Sequence, residues 1–113
     1  MDCLFCKIAQ HQIPAKVVYE DENMLAFHDI APQAPTHILI IPKLHLATIN
    51  DASTEHSQLL GSMLLRAQQL AKAEFGDDAG YRLVFNVNPE GGQAVYHIHL
   101  HLLGGRQMTW PPG

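Results

Sequence analysis

The sequence predicts an α+β domain in which five mostly antiparallel strands form one sheet, packed with one long helix and one short helix. Two observations predict this class. Short runs rich in β-branched and aromatic residues lie between turn residues in both halves of the chain, and one long amphipathic run separates the halves. The 113 residues contain no visible repeat or linker. Residues 1–113 are therefore predicted to form a single domain.

The first half of the chain predicts a short helix followed by three strands. The helix is expected over residues 3–10 and is ended by Pro14. Two strands over 16–20 and 24–28, joined by an Asp-Glu-Asn turn, form a hairpin. Residues 37–42 are a continuous apolar run closed by a proline, which is consistent with a central strand.

The long helix is predicted to begin at a cap on Ser53 or Thr54 and to end near Phe75, because Gly76 follows where a C-terminal glycine belongs. Six residues at helical spacing form its predicted buried stripe: Leu60, Met63, Leu64, Ala67, Leu70 and Ala71.

The last part of the chain predicts a second pair of strands, over 82–87 and 95–103, joined by a glycine-rich turn over 88–93. The tail, residues 106–113, contains Trp-Pro-Pro and is predicted to be irregular.

Residues 97–103 alternate three histidines with aliphatic residues, which is the period-2 pattern of a strand with one buried face. The aliphatic set is predicted to point into the core: Ile98, Leu100 and Leu102. The histidines are predicted to line an open face: His97, His99 and His101. Alternate side chains lie roughly 6.5–7 Å apart, so two imidazoles can reach one phosphate or help to organise one metal site.

Phosphorus chemistry is favoured over a metal site at this strand. A neutral imidazole is nucleophilic and transfers protons near neutral pH, whereas no carboxylate lies within the run. The nearby Gly91-Gly92-Gln93 turn can cradle an oxyanion through backbone N–H groups, although a glycine pair is more commonly a plain hairpin connection. Three other histidines are predicted to be structural: His11, His37 and His56.

Charge and hydropathy exclude other classes. The formal net charge of −4 shows no basic excess, which argues against a nucleic-acid surface. No apolar run approaches the ~20 residues of a membrane span, and the N-terminus lacks a signal pattern. The sequence therefore predicts a cytoplasmic protein.

These motifs resemble the histidine triad family of nucleotide hydrolases and transferases, and in particular its Hint branch, the purine nucleoside phosphoramidases. Besides the histidine run, the resemblance extends to Phe27-His28-Asp29-Ile30, to residues 32–37, to Gly91-Gly92-Gln93 and to residues 104–113. It implies a two-fold homodimer in which the sheet continues across the interface and the tail lies near the partner's site.

The resemblance also implies residue roles. His99 would attack the α-phosphorus to form a nucleotidyl-histidine that water hydrolyses, with a backbone carbonyl holding its other ring nitrogen. His101 would bind the phosphoryl oxygens and assist the leaving amine, and His97 would orient neighbouring groups. Asp29 would accept hydrogen bonds from the ribose hydroxyls. The remaining implied nucleotide-binding residues are Phe5, Ile8, Phe27, His28, Ile30, Asn86, Gly92, Gln93 and Ala94.

Two of these positions carry a qualification. Phe5 and Ile8 fit a plain core role nearly as well as a purine-binding one. Ala94 stands where Hint proteins often carry a hydroxyl residue, so assistance to the leaving group would differ here.

Cys3 and Cys6 allow three interpretations: a redox pair, two small buried residues, or two thiolates of a tetrahedral zinc site. The resemblance implies the third, a structural Zn²⁺ completed by His45 and His97. Without metal, a polar contact between these two histidines is expected.

The function implied is hydrolysis of nucleoside 5′-phosphoramidates, AMP or GMP joined to an amine or to lysine, with aminoacyl-adenylates as a further substrate class. A different class remains open, a nucleotide- and zinc-binding interaction protein with incidental hydrolysis. Within the family, the alternative is dinucleoside polyphosphate hydrolysis or nucleotidyl transfer.

Overall fold

The structure, a computed structural model, describes residues 2–113. Its elements are α1 (Leu4–Ala9), β1 (Val17–Glu20), β2 (Met24–His28), β3 (Thr36–Pro42), α2 (Ser57–Phe75), β4 (Tyr81–Phe85) and β5 (Leu100–Gly104). Within residues 2–113 the strands form one five-stranded sheet in the spatial order β1-β2-β3-β5-β4, with every neighbouring pair antiparallel. The predicted α+β class is confirmed. None of the helices in this range has both the length and the apolarity that a membrane crossing demands.

Strand β3 is the central strand of the sheet, and both faces of the sheet are covered there. The face toward α2 carries one cluster: Met24, Ala26, Ile38, Ile40, Met63, Ala67, Ala71, Ile98, Leu100 and Leu102. The face toward α1 carries another: Cys3, Phe5, Ile8, Ala9, Leu25, Phe27, Leu39 and Ile41. A strand between two apolar layers needs apolar residues on both faces, which explains the continuous run of residues 37–42.

Helix α2 follows a turn of 3₁₀ helix whose N-cap is Ser53, and it ends before Gly76, where φ is +90°. Met63, Ala67 and Ala71 are its buried residues. The prediction that Leu64 belongs to the buried stripe is wrong, since this side chain is 41% exposed. The stripe follows the i, i+4 row through Ala67, and Leu64 lies on its flank.

The prediction that the last strand begins at residue 95 is wrong, because β5 begins at Leu100. The preceding residues leave the ladder: the Ile98 N–H donates to the Leu46 carbonyl at 2.7 Å, outside any strand. Pairing with β3 starts only where Leu100 meets Ile40. The alternation of side chains nevertheless continues upstream, since Ile98 packs in the cluster under α2.

Candidate active site and metal centre

The three histidines of the run lie on the face of the sheet that α1 covers. His97 is fully buried and His99 is 7% exposed, so the prediction of an open face is wrong for both. Phe5 of α1 causes this burial, because its ring packs edge-on against His99 with centroids 5.0 Å apart. His101, in β5 opposite Leu39 of β3, is half-buried.

His99 has the orientation of a nucleophile. Its Nδ1 lies 2.8 Å from the carbonyl oxygen of His97. A carbonyl only accepts, so Nδ1 carries the hydrogen and Nε2 keeps its lone pair. Burial lowers the pKa of His99 below its usual value, so the imidazole is neutral near pH 7. The backbone carbonyl implied by the resemblance is present at this position.

A chain of hydrogen bonds also fixes the protons of His101. The backbone N–H of Gln33 donates to Nδ1 of His37 at 3.0 Å, so the hydrogen of His37 is on Nε2. That nitrogen lies 2.9 Å from Nδ1 of His101. Nδ1 of His101 therefore accepts, and its hydrogen is on Nε2. The side-chain nitrogen of Asn86 lies 3.5 Å from that Nε2; both atoms then carry hydrogens, so they do not bond to each other and are free to donate to one shared acceptor.

His37 is a further histidine that the structure brings to the site. The sequence predicts a structural role for it, and the structure places it buried in β3 beside His101. The signal that could have found it is register. His37 and Leu39 lie on one face of β3, and Leu39 pairs with His101.

Burial keeps this histidine group neutral. The pKa of His101 is lowered to about 4, first by burial and then by the neighbouring His99 and His37. Burial likewise lowers the pKa of His37. At pH 7 the imidazoles of His37 and His101 are therefore neutral, and each carries one ring hydrogen. The donation runs in one direction, from the Gln33 N–H to His37 and from His37 to His101.

Asp29 follows β2 at the edge of a groove of about 770 Å³. One carboxylate oxygen accepts the Ala31 N–H at 2.8 Å, and the other lies 3.6 Å from Nε2 of His37. Ile30 is fully exposed at the same groove. The other lining residues are Pro14, Ala15, Lys16, His28, Pro32, Pro35 and His37. The groove thus joins an apolar rim to an acceptor close to the histidines.

The four apolar residues that the resemblance assigns to the nucleotide pocket fall into two groups. Ile30 lines the groove, whereas Phe5, Ile8 and Phe27 are buried in the cluster under α1. Phe5 and Phe27 pack edge-to-face with centroids 5.6 Å apart. They form the wall behind the histidines.

The side-chain amide of Gln93 is fully engaged in hydrogen bonds to nearby backbone groups. Its Oε1 accepts the Asn88 N–H at 2.9 Å, and its Nε2 donates to the carbonyls of Ala47 and Val95 at 2.7 and 3.1 Å. Gly92 has the left-handed φ of +82° that the turn requires. The buried amide therefore holds the glycine turn in shape. Ala94, which follows it, is exposed.

Four residues form a Cys/His cluster: Cys3, Cys6, His45 and His97. Their ligand atoms all lie within 4.8 Å of one another. Cys3 caps α1, and its Sγ accepts the Cys6 N–H at 3.3 Å. Burial, reinforced by Cys3, raises the pKa of the Cys6 thiol to about 11.

The tautomer of His97 fits a metal ligand. Its Nε2 donates to the carbonyl of Pro42 at 2.8 Å, which leaves the lone pair of Nδ1 for the cluster. That Nδ1 lies 3.3 Å from the sulfur of Cys3 and 3.1 Å from Nδ1 of His45. Two thiolates and two imidazoles are a donor set that Zn²⁺ takes in tetrahedral geometry. The predicted four residues are thus together, and they fit the ion.

A second group within residues 2–113 also brings three possible ligands together: Asp29, His37 and His101. It does not fit a metal. The Gln33 N–H occupies Nδ1 of His37, so Nε2 must keep its hydrogen and has no lone pair for an ion. The two histidines differ in the partner of the ring nitrogen that points away from the cluster. At His97 this nitrogen donates to the Pro42 carbonyl, which leaves a lone pair for a metal; at His37 it accepts from the Gln33 N–H, which leaves only a donor.

Comparison with known protein families and sequences finds relatives along nearly the whole chain. A family model described as "Scavenger mRNA decapping enzyme C-term binding" matches residues 2–110. A 14 kDa zinc-binding protein of Zea mays is 57% identical over 97% of this chain and 87% of its own length. A purine nucleoside phosphoramidase of Escherichia coli K12 is 52% identical over 95% of this chain and 90% of its own length.

The solved structures agree with these sequences. A HIT family hydrolase from Legionella pneumophila superposes with a TM-score of 0.97 and is 70% identical, covering 99% of this chain and 100% of its own.

Proposed function

The chain belongs to the histidine triad family, and on that premise we propose that it is a hydrolase of nucleoside 5′-phosphoramidates. The observation that carries the proposal is the tautomer of His99, whose Nδ1–H is held by the His97 carbonyl while Nε2 keeps its lone pair. A neutral imidazole oriented in this way is a nucleophile for covalent catalysis. The name of the Escherichia coli relative supports the choice of bond, phosphorus to nitrogen.

The reaction would proceed in two displacements. Nε2 of His99 forms a bond to the α-phosphorus, the phosphorus–nitrogen bond breaks, and the amine leaves with a proton taken up from solvent. Water then attacks the nucleotidyl-histidine, releasing the nucleoside monophosphate and restoring His99. Overall one water is consumed for each amine released.

His101, His37 and Asn86 would serve the phosphoryl group. Because His37 donates to Nδ1 of His101, Nε2–H of His101 is available to the phosphoryl oxygens. Asn86 lies beside that nitrogen and can add an amide donor. Donors fixed before the substrate arrives stabilise the charge that develops on phosphorus, with no reorganisation during the reaction.

Asp29 and Ile30 would hold the nucleoside. The carboxylate is acceptor-only and faces the groove edge, which suits the paired hydroxyls of a ribose. Ile30, fully exposed at the groove, offers apolar surface to a purine base. We therefore favour AMP and GMP conjugates as substrates, with aminoacyl-adenylates as a further class.

We also propose that the Cys/His cluster holds a structural Zn²⁺. The ion would supply a crosslink between α1, the segment after β3 and the histidine run. The maize relative named as zinc-binding supports this proposal.

A homodimer completes the proposal. The side chain of Trp110 is 82% exposed, although Arg82 of β4 binds the neighbouring Thr109 carbonyl at 2.7 Å and holds the tail against the sheet edge. On α2, Leu64 and Leu65 are also exposed. Apolar surface of this kind favours burial against a second copy.

The test is release of free lysine from AMP-lysine, comparing the wild type with His99→Asn and with His11→Asn, a surface histidine, as the matched control. We expect His99→Asn to lose at least about 10³-fold in kcat while the control keeps its rate. A trapped adenylyl group should be found on His99 by mass spectrometry. Wild-type turnover no faster than that of His99→Asn would refute the hydrolase and favour the nucleotide- and zinc-binding alternative. Faster cleavage of a dinucleoside polyphosphate would favour the other chemistry of the family.

A further inference from the structure

The peptide group between His97 and Ile98 lies between the Cys/His cluster and the nucleophile. Its carbonyl oxygen accepts the Nδ1–H of His99 at 2.8 Å, and its N–H donates to the Leu46 carbonyl at 2.7 Å. A peptide unit is planar and rigid. Any displacement of either end of this unit therefore moves the atom that orients His99.

Both ends of that peptide group are attached to metal-ligand residues. The carbonyl belongs to His97 itself, and the acceptor of the N–H belongs to Leu46, the residue after His45. An ion shared by His45 and His97 would therefore clamp the peptide from its two sides. Without the ion, Nε2 of His97 is still bonded to the Pro42 carbonyl, whereas Nδ1 meets only the two sulfurs at 3.3 and 3.5 Å and Nδ1 of His45 at 3.1 Å.

A second route runs through α1. Phe5 stands between the two cysteines in the chain and packs edge-on against His99 at 5.0 Å and against His97 at 6.1 Å. An ion that anchors Cys3 and Cys6 would hold this ring in place as well. The cluster thus reaches His99 through a hydrogen bond and through a packed ring.

We propose that metal binding at the Cys/His cluster positions the nucleophile, by fixing the carbonyl and the ring that set the tautomer and orientation of His99. Cys3, Cys6 and His45 then act as positioning residues for catalysis. This inference rests on the proposed function for its rate effect, but its structural part is measured without any substrate.

The experiment compares zinc-loaded protein with protein stripped by a chelator. Histidine labelled with ¹⁵N reports the tautomer of His99 directly, through long-range couplings of its ring nitrogens. We expect a single Nδ1–H tautomer in the loaded protein and a mixture of tautomers in the stripped protein. Adding Zn²⁺ alone should restore the single tautomer. On AMP-lysine, stripping should lower kcat about ten-fold or more and leave KM unchanged.

Variants separate positioning from folding. Cys6→Ser replaces the half-buried thiol and keeps Cys3 in the core, so it serves if the stripped wild type unfolds. His11→Asn, outside the cluster, should show the wild-type tautomer and zinc content. Folded protein that lacks zinc yet keeps a pure Nδ1–H tautomer and full kcat would overturn the inference. An inactive wild type whose tautomer still follows zinc would refute only the proposed function.

Discussion

Acidification should destabilise this protein through His101, and the size of the effect follows from its surroundings. Burial and the two neighbouring histidines hold its pKa at about 4, against 6.5 for an ordinary histidine. As the pH falls below 6.5, this histidine binds a proton in the unfolded chain but stays neutral in the folded protein until the pH approaches 4. Stability is therefore lost across the range from pH 6.5 to 4, and it is fully present above that range. The loss from this one group reaches at most about 3 kcal/mol.

The assay is urea unfolding at pH 7.5, 5.5 and 4.5 for the wild type and for His101→Asn. The variant lacks the group, so the free energy of unfolding should fall with acid by about 2–3 kcal/mol less than in the wild type at pH 4.5. Loss of zinc at low pH affects both proteins and cancels in this difference, and His11→Asn supplies the histidine control. Equal acid sensitivity of the wild type and His101→Asn would show that His101 is not buried as a neutral donor.

Three further results are expected. Asp29→Asn should weaken AMP binding by about 10- to 100-fold, since a hydrogen bond to a charged group contributes roughly 1.5–3 kcal/mol. In calorimetry this loss should be absent for 2′,3′-dideoxy-AMP, which lacks the ribose hydroxyls. A loss of equal size for that ligand would contradict the ribose role. His37→Asn should lower kcat by up to about 10²-fold with little change in KM, because His101 loses its oriented donor; an unchanged kcat would mean that the contact between these histidines is structural only. Gly104→Ala places a methyl group into the ring of Phe75 and should cost about 1–3 kcal/mol in urea unfolding, and Phe75→Leu should relieve that cost, so a neutral Gly104→Ala would show that the ring moves freely.

Several features could be read from local pattern alone. Helical spacing placed α2 correctly to its end at Phe75, and the apolar run before Pro42 identified the central strand. The alternation at residues 97–103 put Ile98 and Leu100 in the core. These succeed because side-chain periodicity depends only on neighbours within the same element.

The sequence could not show where alternation and backbone pairing separate. Residues 97–99 keep their alternating side chains, with Ile98 in the core under α2 and both histidines against Phe5, while the Ile98 N–H leaves the ladder for the Leu46 carbonyl. Nor could it show that Phe5 of α1 covers His97 and His99, since that depends on how this helix packs across the sheet. The exposure of Leu64 is a further case, because the angle of a helix on its sheet is a property of the packed whole.

The sequence by itself determined the fold class, the histidine run and, through family resemblance, the four members of the Cys/His cluster. Tertiary structure decided which ring nitrogen of each histidine carries the hydrogen. That choice depends on single acceptors or donors far away in the chain: the Pro42 carbonyl for His97, and the Gln33 N–H for His37 and through it His101. A hydrogen bond needs its two atoms within about 3 Å, and only the folded chain brings such atoms together.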